Sequence, residues 1–200
     1  MAFAPVAAPI ALVPEGLERP LAIPPEIFEA ALDTFLQERR LDMGALACGL
    51  GISRATLHRR AGGRDHLLGQ VMWFLTRVAM VRALLDAGHL TGRERVLAAV
   101  DGFMRSMEGR PALQRLLDTE PETALRILTS RHGPIQGGII ESLERLIRQE
   151  IDSGHLATAI EPHTLAYVIV RVGESFLYAD TIGSGEPDVD QAAEVIAHLV

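Results

Sequence analysis

With 200 residues and 48% hydrophobic side chains, the chain has enough apolar matter for one large or two small cores, which excludes disorder throughout. Its formal net charge is -7 at pH 7, with no Lys and no Asn, so it is not a generally basic, polyanion-coating protein. A single cysteine, Cys48, excludes an intramolecular disulfide and fits a reducing, cytoplasmic compartment.

Met1–Pro24 is apolar and broken by prolines. It lacks the positive start and unbroken apolar run of a signal peptide, and is expected to be a flexible arm. Pro24 and Pro25 then open a helix to about Arg39, with Ile27, Phe28, Ala31, Leu32, Phe35 and Leu36 in one stripe. Asp42 is placed to cap a short second helix from Met43 to about Gly49, and Cys48 is expected among its apolar residues as a small core thiol. Gly51 breaks that helix, Ser53 caps a third over Arg54–Arg60, and Gly62-Gly63 ends it. A long fourth helix runs from Arg64 or Asp65 to about Ala87. Its apolar stretch Leu67–Leu85 is interrupted by Gln70, Thr76, Arg77 and Arg82, which suits a buried helix and not a membrane span. Recurring Gly and Pro breakers delimit further helices near 92–108, 111–119, 121–130, 135–152, 162–182 and 188–199. No segment alternates at period two, so the expected fold class is all-α. The domains would be the arm 1–24, a three-helix head 25–64, and a larger helical body 65–200 that begins with the connecting helix.

Between Arg39 and Arg64 lie six arginines and one acid, Asp42, a local net of +5 on an acidic chain. The same window has the layout of a helix–turn–helix: Ala47 is small where two helices cross, Gly51 permits a left-handed turn, and Ile52 and Leu57 pin the third helix. Ser53, Arg54, Thr56 and His58 would face outward. Arg54 and Thr56 are candidates for reading base edges; Arg59 and Arg64 are candidates for holding phosphates.

Gly51-Ile-Ser-Arg-Ala-Thr-Leu-His-Arg-Arg and Gly63-Arg-Asp-His-Leu-Leu resemble the recognition helix and fourth-helix start of the TetR family of bacterial transcriptional regulators. The chain departs from the family pattern at His58 (usually Tyr), Ala61 (usually Phe), Asp42 (commonly Thr or Ser) and Arg64 (commonly Lys). Glu120–Thr129 and Leu165–Asp180 are similar to the regulatory domain of the QsdR-type subgroup. The resemblance implies a homodimer with a ligand cavity in each body, and release from DNA when ligand binds.

In the body, Arg171 and Glu174 lie three apart on an otherwise apolar helix, near Tyr167 and Tyr178. Buried charge needs a partner, so these residues form either a structural ion pair or the polar spot of a cavity. Phe103, Met107, Leu116 and Leu117 are candidates for its apolar lining. Ile139, Leu143, Leu146 and Ile147 make a helical stripe, expected either as a dimer seam or as intrachain core. No metal spacing, P-loop or nucleophile motif is evident, so no cofactor and no catalytic residue is expected. The expected function is a ligand-responsive transcriptional repressor, released from a palindromic double-stranded operator by a small amphipathic effector. A helical carrier or enzyme, and a protein-interaction module on a degenerate helix–turn–helix, stand as alternatives.

Overall fold

The computed structural model describes residues 23–130, 133–183 and 185–200; the arm 1–24 lies outside the described residues except for Ile23 and Pro24. Every described element is helical, and the chain divides into two compact units between Val78 and Ala79.

In the first unit, α1 (Pro25–Leu36) buries Ile27, Phe28, Ala31, Leu32 and Phe35. It stops short of Arg39. Glu38 takes φ 55°, and the N–H of Arg39 returns to Thr34 O at 3.1 Å, closing the helix with a left-handed residue that is not glycine. In α2 (Met43–Gly49), Asp42 accepts the Ala45 N–H at 2.7 Å as the capping argument requires. The buried face is Met43, Leu46 and Ala47; Cys48 lies off that stripe and is exposed, which corrects its assignment to the core. Next come α3 (Arg54–Ala61) and α4 (Arg64–Asp86). Leu67, Leu68 and Val71 are at most 1% exposed, and Phe74 meets Phe28 edge to face with ring centroids 5.3 Å apart. The head core therefore claims α4 as far as Val78, later than the boundary at 64/65, because these side chains are part of its packing. By length and composition alone, Arg64–His89 would be apolar enough to cross a membrane. The buried face of α4 in the head explains that apolarity.

The second unit continues with a 3-10 turn (Ala87–His89), α5 (Gly92–Glu108), α6 (Pro111–Thr119), α7 (Pro121–Thr129), α8 (Pro134–Asp152), α9 (Pro162–Leu177), α10 (Ala179–Ile182) and α11 (Val189–Ala197). α9 packs against α8, α11 and α5. α8 and α9 run antiparallel: Gln136 near the start of α8 meets Glu174 near the end of α9. Glu144 and Arg148, further along α8, meet His163 and Glu161 at the other end of α9, at 2.7 and 2.9 Å. Arg105 joins α5 to α11 through Asp190 at 2.6 Å. The segment 162–182 is two helices. Tyr178 sits between them at φ −116°, ψ 23°, a kink that leaves its side chain buried while its N–H still reaches Glu174 O at 3.1 Å.

Candidate nucleic-acid interface and regulatory body

The turn between α2 and α3 is built by local hydrogen bonding. Gly51 takes φ 66°, where an L side chain is disfavoured, and the N–H groups of Gly51 and Ile52 return to Cys48 O and Ala47 O at 3.1 and 3.0 Å. Ser53 Oγ then accepts the Thr56 N–H at 3.1 Å and lies 2.9 Å from Thr56 Oγ1. This cap leaves Thr56 half-buried and its hydroxyl engaged with Ser53. Leu57 and Ala61, 0% and 2% exposed, anchor α3 from behind. Ser53, Arg54, Ala55, His58, Arg59 and Arg60 are all exposed, giving the short helix one basic outward side.

Two charged residues are bound into the frame. Arg64 donates from Nε to Leu41 O at 2.7 Å and lies 3.6 Å from Asp65. Part of its guanidinium therefore fastens the start of α4 to the segment before α2, so it is not a freely projecting phosphate ligand. Asp42 is held below the ordinary carboxylate range, chiefly by the Ala45 N–H, with Arg54 and Arg40 adding to the effect. The head thus keeps a negative charge near Arg54, set there by capping.

In the body, Met107, Leu116 and Leu117 are 5%, 3% and 3% exposed, and Phe103 is half-buried. Arg171 Nη1 donates to Glu174 Oε2 at 2.7 Å, and Gln136 Nε2 reaches both Glu174 oxygens at 2.9 and 3.0 Å. Burial pushes the half-buried Glu174 carboxyl up against the pull of Gln136 and Arg171. Tyr178 is buried beside it, and its hydroxyl is raised by that burial and by the Glu174 charge. Tyr167, by contrast, is 47% exposed, and Arg171 faces solvent. Glu174 and Tyr178 are thus the inward polar pair. Of the helical stripe on α8, Leu143, Leu146 and Ile147 are already 9%, 4% and 0% exposed within one chain, and only Ile139 remains half-buried. Most of that stripe is intrachain core.

Sequence reasoning missed the body's buried ionic node. Glu150 is 2% exposed; it accepts the Gly92 N–H and Arg95 Nη1, each at 2.6 Å, and lies 3.5 Å from His155 Nδ1. The Gly92 hydrogen bond, with Arg95 and His155, holds its carboxyl below the usual range against the cost of burial. The signal was present: Glu150 continues the stripe of Leu143, Leu146 and Ile147 at helical spacing.

A helix–turn–helix with a basic outward face, in a chain whose second unit is all helix, defines a helical DNA-binding regulator. Residues 91–200 match the family described as tetracyclin repressor-like, C-terminal domain. Among solved structures, the transcriptional repressor QsdR of R. erythropolis, from the TetR family, is 31% identical, with 86% of this chain and 91% of that one covered and a TM-score of 0.78. The TetR-family repressor AlkX of Dietzia sp. strain DQ12-45-1b, implicated in biodegradation of n-alkanes, is 24% identical over 89% of this chain and 96% of its own, with a TM-score of 0.57; it supports the fold. No curated protein matches the chain. The chain belongs to the TetR family of transcriptional repressors. The family and these neighbours are regulators of transcription and not enzymes.

Proposed function

We propose that the protein is a homodimeric repressor that leaves a palindromic operator when a small amphipathic effector binds its body. The observation that carries this reading is α3 itself: capped by Ser53, pinned by Leu57, and exposing Arg54, His58, Arg59 and Arg60 on a chain of net charge -7. A helix of this kind suits a major groove, with base contacts from Arg54 and Thr56 and phosphate contacts from Ser53, His58 and Arg59. Arg64 contributes mainly by holding the start of α4 in place.

Dimerisation would use what α8 and α9 leave uncovered, including Ile139, Ser142, Tyr167, Val168 and Val172, since the deeper stripe is already occupied. The effector would set its apolar part against Phe103, Met107, Leu116 and Leu117 and a polar group near Glu174 and Tyr178. Release requires that effector bind the DNA-competent and released conformations with different affinity; α4, continuous from Arg64 to Asp86, is the element proposed to link them.

Mobility shifts on the chain's own upstream DNA, repeated across salt, test the DNA reading. Affinity should fall steeply with salt, and Arg59→Ala should lower the log–log slope by about one. Arg54→Ala should change sequence preference. Absence of duplex binding at low salt would overturn the assignment.

A further inference from the structure

The described histidines of the body all have a partner. Nδ1 of His89, His163 and His198 lies 2.9, 2.7 and 2.8 Å from Asp86 O, Glu144 Oε2 and Glu194 O, and His155 Nδ1 lies 3.5 Å from Glu150. The head differs. His58, in the last turn of α3, and His66, in the first turn of α4, are exposed, and among the described residues no hydrogen bond or ion pair holds either ring. Both rings gather at the turn that joins the two helices. His58 Nε2 lies 3.9 Å from where a Cβ on Gly63 would stand, and His66 Cδ2 lies 3.0 Å from where one on Gly62 would stand. The Gly62 N–H donates to His58 O at 2.9 Å and fixes the backbone beneath. The charged groups of this part of the head are Arg54, Arg59 and Arg60 on α3, and Arg64 and Asp65 at the start of α4. Asp42 caps α2 after Arg39 and Arg40, and Cys48 is exposed on that helix. Guanidinium keeps its proton throughout, carboxylates ordinarily lose theirs near pH 4, and thiols ordinarily titrate at about 8.5. Imidazole is the side chain that changes charge between about pH 6 and 7.5.

We propose that His58 is a proton-linked DNA contact: it meets a backbone phosphate as a cation, so duplex affinity rises as pH falls below neutral. This deepens the reading of α3 as the DNA-binding helix and rests on it. A neutral imidazole offers a phosphate one N–H; the protonated ring offers two donors and a charge. A phosphate beside the ring in turn favours the charged form. DNA binding and proton uptake are therefore coupled. The extra affinity is fully present at acidic pH and is lost as pH rises through the range of the DNA-bound ring. His58 carries this role ahead of His66 because it stands on the basic outward side of α3, beside Arg59 and one turn from Arg54, whereas the ring of His66 lies against Gly62.

Fluorescence anisotropy of the full-length protein on a labelled duplex from its own upstream DNA, in matched low salt at about pH 7.5 and about pH 6, tests this. Wild-type affinity should rise at least about threefold on acidification, as for uptake of part of one proton by each bound head. The log–log salt slope should steepen at the lower pH, because one more cation meets a phosphate. His58→Gln should remove both changes. His58→Arg, charged throughout, should bind at the higher pH at least as tightly as wild type does at the lower, with no pH response. His66→Gln should keep the wild-type response. Absence of binding at either pH would overturn the DNA reading and this proposal together. Wild-type binding that is equal at both pH values overturns the proposal alone, as does a His58→Gln protein that keeps the response or a His66→Gln protein that loses it. If His58→Gln melts well below wild type, His58→Arg decides: a response that persists in it overturns the proposal, and a flat one sustains it.

Discussion

Glu150 illustrates how much one side chain can decide. Its two oxygens hold the first N–H of α5 and the Arg95 guanidinium at 2.6 Å, with the carboxylate itself 2% exposed. Among the described residues, no acceptor meets the buried Arg95 Nε. Removing the carboxylate as Glu150→Ala should cost about 3 kcal/mol, because the half-buried Arg95 loses its counter-charge and the buried Gly92 N–H its acceptor. The sign of its pH dependence follows from its depressed folded pKa: Glu150 stabilises the fold above the ordinary glutamate range, and that contribution is lost as pH falls through the folded value. Melting curves from neutral pH down to about 3 should therefore be steeper in pH for wild type than for Glu150→Gln; equal slopes would argue against the node. Ser53 and Asp42 act at the same scale through caps. Ser53→Ala should remove about 1 kcal/mol and weaken operator binding by loosening the start of α3, as urea denaturation and mobility shifts would show.

At the scale of elements, three residues with left-handed backbone have different sensitivities. Glu38 holds φ 55° at the end of α1 with a side chain that disfavours it, so Glu38→Gly should be neutral or stabilising by up to about 1 kcal/mol. Gly51 holds φ 66°, but nothing lies within 4 Å of where a Cβ would stand. Gly51→Ala should thus cost only the backbone term, about 1 kcal/mol. Gly92 holds φ 59°, and a Cβ there would lie 2.3 Å from His155 O, which is backbone and cannot yield. Gly92→Ala should be clearly worse than Gly51→Ala and should also disturb the Glu150 contact. Denaturant midpoints for the three variants check that order; a Gly92→Ala protein as stable as Gly51→Ala would contradict the geometry.

For the whole molecule, the proposed homodimer would need a face of the body that the chain's own core leaves open. Leu143 and Ile147 are consumed by the chain's own core, so Leu143→Arg should unfold the body at a cost of about 4 kcal/mol, the scale for an unpaired buried charge. Ile139 and Val168 are only half-buried. Ile139→Arg or Val168→Arg should leave a folded chain that no longer dimerises, as sedimentation with circular dichroism would show. A variant that stays dimeric places the interface elsewhere.

Much of this protein was legible in the sequence because the deciding interactions are local. Asp42 and Ser53 cap helices through N–H groups three residues away, Gly51 turns the chain by its own dihedral, and Leu57 and Ala61 fall at helical spacing, so the head could be laid out residue by residue. The family followed from that order and from the body's matching segments. What only tertiary structure decided were matters of burial and of partners distant along the chain. Periodicity marks an apolar face but does not say what covers it, and so it could not show that Leu143 and Ile147 face inward, or that Tyr167 faces out while Tyr178 turns in at a kink. Charge spacing suggested the pair Arg171 and Glu174, three residues apart. It was silent on Glu150, whose partners Gly92 and Arg95 lie 58 and 55 residues away and meet it only when α5 and α8 pack together.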